Sequence, residues 1–96
     1  MGKKTTTVPH ELESWQLDDA ARLRALFEQK KGAAKAAGER FTQALFAEST
    51  GIASPNMVWQ YLSAHRALNI QAAAEFAKGL GVQVSEFSPR LAAQID

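Results

Sequence analysis

Helix-start signals recur along the chain and divide it into short segments. Two of these signals are Ser54-Pro55 and Ser88-Pro89. In each, the serine hydroxyl can accept a hydrogen bond from an unpaired backbone amide of the first helical turn. The proline suits the first helical position because it has no amide hydrogen that would be left unpaired there. Thr42 and Asn69 are suited to cap two further helices in the same way. No segment shows the period of two that a half-buried strand requires. The pattern therefore predicts an all-α chain.

Apolar residues spaced three and four apart locate five helices. Asp18 and Asp19 are expected in the first turn of the first helix, because carboxylates favour the positive end of the helix dipole. That helix is predicted to end at Gly32, and a loop over 32–40, in which a helical turn can persist, is predicted to follow. The predicted helices cover 17–31, 43–49, 55–63, 70–80 and the residues from 89 onward. The predicted inward residues are Ala20, Leu23, Leu26 and Phe27, then Leu45 and Phe46, then Val58, Tyr61 and Leu62, then Ile70, Ala73, Ala77 and Leu80, and finally Leu91, Ala92 and Ile95.

Composition excludes several classes of function. Among the 96 residues there is no cysteine, and the two histidines, His10 and His65, are far apart. Disulfides and thiol catalysis are therefore excluded, and we expect no metal site, no cofactor and no enzymatic activity. No apolar run approaches the roughly 18 residues that cross a membrane, and no signal peptide is recognised, so a cytoplasmic protein is expected.

Positive charge is concentrated in the first part of the chain. Over residues 22–40, six basic residues stand against Glu28 and Glu39, a local excess of four. Residues 1–16 have no helical period, and with Lys3 and Lys4 they are predicted to form a flexible basic arm before a domain over 17–96. The six basic residues are Arg22, Arg24, Lys30, Lys31, Lys35 and Arg40. Such a surface is either a solvated helix face or a contact surface for phosphates.

The predicted helix over 55–63 has two distinct faces. One carries the apolar residues Val58, Tyr61 and Leu62, and the other carries Asn56, Trp59, Gln60 and Ser63, without a charge. Asparagine and glutamine amides can pair with adenine in the major groove, and an apolar side chain can meet the thymine methyl group. Two alternatives remain open: Trp59 belongs to the core, or Asn56 serves only the helix N-terminus. Gln43, at the start of the preceding helix, is expected to brace this helix or to reach a phosphate.

An ordered set of short motifs resembles the N-terminal DNA-binding domain of lambda-type phage repressors. The motifs are "TQ" at 42–43, "RALN" at 66–69, "AKGLGV" at 77–82 and "EFSP" at 86–89, behind a lysine-containing arm. The resemblance runs from "LDDAARLRALFEQKK" to "VSEFSPRLAAQI", about four-fifths of the chain. It implies a five-helix domain with a helix-turn-helix that binds a two-fold symmetric DNA operator as a homodimer. It also implies a transcriptional repressor encoded by a bacterium or prophage and associated with the nucleoid.

The resemblance also implies a role for individual residues. Pro55, Asn56 and Gln60 match positions at the base-reading surface of the third helix, where Trp59 is also expected to lie. The implied backbone or flanking positions are Ser63, Arg66 and Asn69 beyond that helix and Arg24 and Lys31 on the first helix. Lys3 and Lys4 match an arm that wraps the duplex, and Leu91 and Ile95 match dimer contacts.

The exit from the third helix departs from the family pattern. Ser63-Ala64-His65 stands where Asn-Gly is common, so the turn lacks the residue type that adopts positive φ most easily. An alternative function is a protein-interaction or antitoxin-like module of the same fold, in which Trp59 and Tyr61 anchor a partner. Binding to random duplex at low salt distinguishes the two functions.

Overall fold

The computed structural model describes residues 12–95, and this range contains five α-helices and no strand. The helices are α1 (Ser14–Ala36), α2 (Gln43–Ser49), α3 (Pro55–Leu62), α4 (Ile70–Leu80) and α5 (Pro89–Ile95), with a short 3₁₀ turn (Val84–Glu86) before α5. The all-α prediction is therefore confirmed for this part of the chain. Within residues 12–95, no helix has an apolar stretch long enough to cross a membrane.

Helix α1 is longer at both ends than the sequence predicts. It begins at Ser14, where the Gln16 side chain accepts a hydrogen bond from the Glu13 amide at 2.8 Å, so residues 14–16 are not part of an arm. It also passes through Gly32, because the alanines after that glycine favour helix. The chain leaves the helix at Gly38, whose φ is +74°. Lys3 and Lys4 lie outside the described residues.

The predicted caps are present at the start of three helices. Thr42 Oγ1 accepts from the Leu45 amide at 3.1 Å, and Ser54 Oγ accepts from the Met57 amide at 3.2 Å. Asn69 Oδ1 accepts from the Ala72 amide at 2.7 Å. These bonds satisfy amides that the first helical turn leaves unpaired, which explains why α2, α3 and α4 begin where the sequence predicts.

A chain of aromatic rings joins four helices in the core. The Phe46 ring of α2 lies 5.3 Å from Phe27 of α1 and 5.3 Å from Phe76 of α4. Phe76 in turn meets Tyr61 of α3 edge-on at 5.8 Å. Helix α4 reaches Phe46 closely at Gly79, where an added Cβ would stand 2.6 Å from the ring. The orientation of α3 is thus tied to α1 and α2 through one aromatic cluster.

Three residues predicted to point inward are exposed instead. Leu45, Ile70 and Ile95 are 39%, 41% and 47% exposed. In α2 the buried pair is Phe46 and Ala47, so Leu45 lies on the outer side of a helix only two turns long. Ile70 and Ile95 stand at helix ends, beyond the part of each helix that packs on the core.

A buried polar network ties α1 to the start of α5. Asp19 is 3% exposed, and its carboxylate accepts from Arg22 Nη2 at 2.6 Å and from the Ser88 hydroxyl. Arg22 Nε also donates to the Phe87 carbonyl at 3.1 Å, while Ser88 Oγ accepts from the Leu91 amide and so caps α5. The expected helix-dipole role of Asp18 and Asp19 is therefore wrong, because α1 begins at Ser14 and both carboxylates lie beyond its first turn.

Asp19→Ala should lower the free energy of unfolding by about 2 kcal/mol, because it leaves the buried Ser88 hydroxyl without its acceptor and Arg22 without its carboxylate. Urea denaturation measures the change. Asp18→Ala, at the adjacent exposed carboxylate, is the matched control and should change stability by no more than about 0.5 kcal/mol. Equal effects of the two substitutions would contradict a structural role for the network.

Candidate nucleic-acid interface

Helix α3 presents the two faces that its sequence predicts. Val58, Tyr61 and Leu62 are buried in the core. On the other side Asn56 is exposed, and Trp59 is 44% exposed and does not belong to the core. The remaining predicted residues of this face are Pro55, which is exposed, and Gln60 and Ser63, which are half-buried. The outer face of α3 therefore offers two amides, a hydroxyl and an indole ring to a ligand.

The Trp59 ring is supported by the turn that follows α3. The ring stacks on His65 with 4.6 Å between centroids and 28° between planes. The Ser63 hydroxyl lies 2.6 Å from the Trp59 carbonyl and 2.8 Å from His65 Nδ1. Because a carbonyl can only accept, the single hydroxyl hydrogen goes to Trp59, and His65 Nδ1 must carry a hydrogen and donate to Ser63. The imidazole atom that can meet a ligand is then Nε2.

Gln60 and Arg66 form a second supported pair on this surface. Arg66 Nε donates to Gln60 Oε1 at 3.1 Å, which holds the amide of Gln60 in one orientation. The backbone amides of His65 and Arg66 both donate to the Gln60 carbonyl, at 2.8 and 3.2 Å. The amide nitrogen of Gln60 remains able to donate, and its oxygen has a second lone pair with which to accept.

Residues from three helices meet in a small depression beside Trp59. Arg24 and Glu28 of α1, Gln43 of α2 and Trp59, Leu62 and Ser63 at the end of α3 line it. Four predicted site residues, Arg24, Gln43, Trp59 and Ser63, are thus brought together. Glu28 was not predicted for the site, although its position four residues after Arg24 puts both on one side of a helix.

Two other predicted residues lie away from this depression. Lys31 is exposed further along α1, seven residues after Arg24 and so on the same side of the helix. Asn69 caps α4 and lines a separate hollow with Gly51 and Glu75, where the Glu75 carboxylate accepts from the Gly51 amide at 2.7 Å. The capping bond occupies Asn69 Oδ1, which leaves its amide nitrogen for any further contact.

The two predicted dimer residues have different surroundings. Leu91 is 5% exposed and belongs to the core of its own chain, because α5 packs on α4 and on the 3₁₀ turn. Its burial agrees with the inward position that helical spacing predicts, and the dimer-contact role that the resemblance implies for it stays a prediction. Ile95 is 47% exposed and lies beside Val84 and Ala92.

The exit turn of α3 adopts an unfavourable backbone conformation. Ala64 has a φ of +62°, in the left-handed region that Asn-Gly would accept more easily. An L-residue with a Cβ loses about 1–2 kcal/mol there. In this turn the backbone amides of His65 and Arg66 nevertheless donate to the Gln60 carbonyl. The conformation therefore brings the side chains of His65 and Arg66 to the α3 surface.

No protein-family model matches the chain, and no curated protein matches it either.

Ala64→Gly should raise the free energy of unfolding by about 0.5–1 kcal/mol, since relief of the left-handed strain exceeds the added entropy of the unfolded chain. Ala53→Gly, in the connection before α3, should lower it by about 0.4–1 kcal/mol, because Ala53 has no positive φ to relieve. Thermal or urea unfolding compares the two. Destabilisation by both substitutions would show that Ala64 is not strained.

Proposed function

We propose that the domain binds double-stranded DNA in a sequence-dependent manner, with α2 and α3 as a helix-turn-helix and α3 in the major groove. The observation that carries the proposal is the outer face of α3, where uncharged hydrogen-bonding side chains lie beside cationic ones. The resemblance to lambda-type phage repressors supports transcriptional repression as the role of this binding.

Two amides on α3 have the chemistry to read bases. Asn56 and Gln60 are one helical turn apart, which separates them by about 6 Å along the axis, close to two base-pair steps. Each can donate to adenine N7 and accept from its N6 amine, a pair of bonds that contributes about 1–3 kcal/mol of discrimination. The bond from Arg66 to Gln60 Oε1 orients one of these amides before DNA arrives.

Cationic and polar groups at the edge of α3 suit the phosphates on either side of the groove. Arg66 lies beyond the C-terminal end of α3, and Arg24 lies across the depression beside Trp59. Their guanidinium groups can donate to phosphate oxygens. Such contacts position the helix without reading sequence, while the Trp59 ring is placed to meet a thymine methyl group.

A homodimer would let two copies of α3 bind the two halves of a symmetric operator. The exposed Ile95 side chain on α5 is the apolar group available for that contact. Ile95→Arg should therefore lower the affinity for a two-half-site duplex at least about tenfold and leave binding to a single half-site unchanged. Ile70→Arg, at the other exposed isoleucine of a helix end, is the control. Equal binding by both variants in fluorescence anisotropy would contradict a dimer contact at α5.

Gln60→Ala should weaken binding to a duplex enriched from a random pool by about 1–3 kcal/mol and leave binding to unselected duplex nearly unchanged. Arg66→Ala should weaken both, because it removes a phosphate contact and also releases the Gln60 amide. Gln29→Ala, an exposed glutamine on the other side of α1 from Arg24, is the matched control. Affinity is measured by fluorescence anisotropy at several salt concentrations.

Absence of wild-type binding to any duplex at low salt would contradict the proposal. It would favour instead the protein-interaction module, in which the exposed Trp59 ring anchors a partner. Duplex binding that is independent of Gln60 would leave DNA as the ligand and contradict the assignment of the base-reading helix.

A further inference from the structure

Two residues of α4 face the connection between α2 and α3, which covers residues 50–54. Glu75 and Gly79 are spaced by four residues and therefore lie on the same side of α4. The Glu75 carboxylate accepts a hydrogen bond from the Gly51 amide at 2.7 Å. At Gly79, an added Cβ would stand 2.8 Å from the methyl group of Thr50. Helix α4 therefore meets the connection at two consecutive residues.

The Glu75 carboxylate lies directly over the backbone of Gly51. A Cβ on Gly51 would stand 2.9 Å from the carboxyl carbon of Glu75 and 2.9 Å from one of its oxygens. Gly51 has no positive φ, so the close approach of Glu75, and not the backbone conformation, accounts for the glycine. Among residues 12–95, the Gly51 amide is the only hydrogen-bond partner of the Glu75 carboxylate, and Glu75 forms no ion pair.

The other hydrogen bonds of the connection stay close to it in sequence. Thr50 Oγ1 donates to the Phe46 carbonyl of α2 at 2.9 Å and accepts from the Ile52 amide at 3.3 Å. Of the hydrogen bonds that residues 50–54 make within the described part of the chain, only the Gly51 bond reaches a helix other than α2 and α3. The Glu75 carboxylate is thus the polar link between α4 and this connection.

The position of the connection determines where α3 begins. Helix α3 is only eight residues long, and its first residue, Pro55, lies four residues after Gly51. The buried stripe of α3 determines which side faces the core, whereas the connection determines where its first turn lies. Asn56 belongs to that first turn.

We infer that Glu75 is a positioning residue, which holds the connection through the Gly51 amide and so places Asn56 and Gln60 for base reading. The inference rests on the proposed function, and it assigns to that function a residue of α4 that lies outside the outer face of α3.

Base reading is more sensitive to such placement than phosphate binding. A side-chain amide must bring both of its polar atoms within hydrogen-bond distance of a base edge, and that range is only about 0.5 Å wide. Cations bind phosphate through charge, which acts over a longer range and does not depend on sequence. Loss of the bond to Gly51 should therefore weaken binding to a selected sequence and leave binding to unselected DNA nearly unchanged.

The test compares three substitutions on α4. Glu75→Ala removes the acceptor, and Glu75→Gln restores it, because a glutamine side-chain oxygen can accept from the same amide. Ala74→Gly, at the exposed neighbouring position, is the matched control, since it lowers helix stability and keeps the Gly51 bond. Circular dichroism checks that each protein is folded at the temperature of the titration.

Each protein is titrated by fluorescence anisotropy with a duplex enriched from a random pool and with unselected duplex, and the ratio of the two affinities is compared. Glu75→Ala should lower this ratio at least about fivefold, the lower limit of the discrimination that one amide–adenine pair provides. Glu75→Gln and Ala74→Gly should keep it within about twofold of wild type.

Gly51→Ala tests the same bond from the other side. Its Cβ displaces the Glu75 carboxylate, so it should lower the ratio as Glu75→Ala does. Because both substitutions break one bond, the double variant should lower the ratio no further than either substitution alone.

An equal ratio in Glu75→Ala and Ala74→Gly, while wild type prefers the selected duplex, overturns this inference alone. A ratio that falls equally in Glu75→Gln and Glu75→Ala also overturns it, since Glu75→Gln keeps the acceptor. Additive losses from Gly51→Ala and Glu75→Ala would do the same. Absence of any preference in wild type overturns the proposed function and this inference together.

Discussion

The packing of Phe46 is the interaction on which the rest of the structure depends. Its ring contacts Phe27 of α1 and Phe76 of α4, and Phe76 in turn contacts Tyr61 of α3. Gly79 allows α4 to approach so closely that even a methyl group there would strike the Phe46 ring. With Tyr61 held inward, the geometry of a two-turn helix turns Asn56 and Trp59 outward. The candidate interface is therefore a consequence of the core.

The turn after α3 converts that exposed face into an organised surface. Ala64 takes a left-handed conformation, and the amides that follow it close on the Gln60 carbonyl. His65 then stacks on Trp59, and Arg66 bonds to the Gln60 side chain. Side chains that are held before a ligand arrives lose less conformational entropy on binding, so this arrangement favours recognition. The left-handed conformation of Ala64 costs about 1–2 kcal/mol, and the ordered side chains on the outer face of α3 depend on that conformation.

Much of the fold could be predicted from local signals. Thr42, Ser54 and Asn69 cap the helices that they were expected to cap, and Gly81 ends α4 with a φ of +72°. The two faces of α3 followed from helical spacing alone, because Val58, Tyr61 and Leu62 form a compact stripe.

Features that depend on distant contacts could not be predicted in the same way. Asp19 meets Ser88, which is 69 residues away in the chain. The sequence predicts a helix end at Gly32. An exposed glycine lowers the stability of a helix by only about 1 kcal/mol relative to alanine, and the surrounding alanines can offset that loss. The stacking of His65 on Trp59 depends on the conformation of Ala64, for which the sequence offers no local signal.

The central claim is that the outer face of α3 meets duplex DNA, and a titration of the isotopically labelled protein with duplex, followed by backbone amide resonances, tests it most directly. We expect the largest shifts on residues 55–66 and at Arg24 and Lys31. Resonances of the exposed Leu45 region, which lies on another side of the domain beside Phe41 and Arg40, should move little. Shifts confined to that region, or no shifts at low salt, would contradict the account.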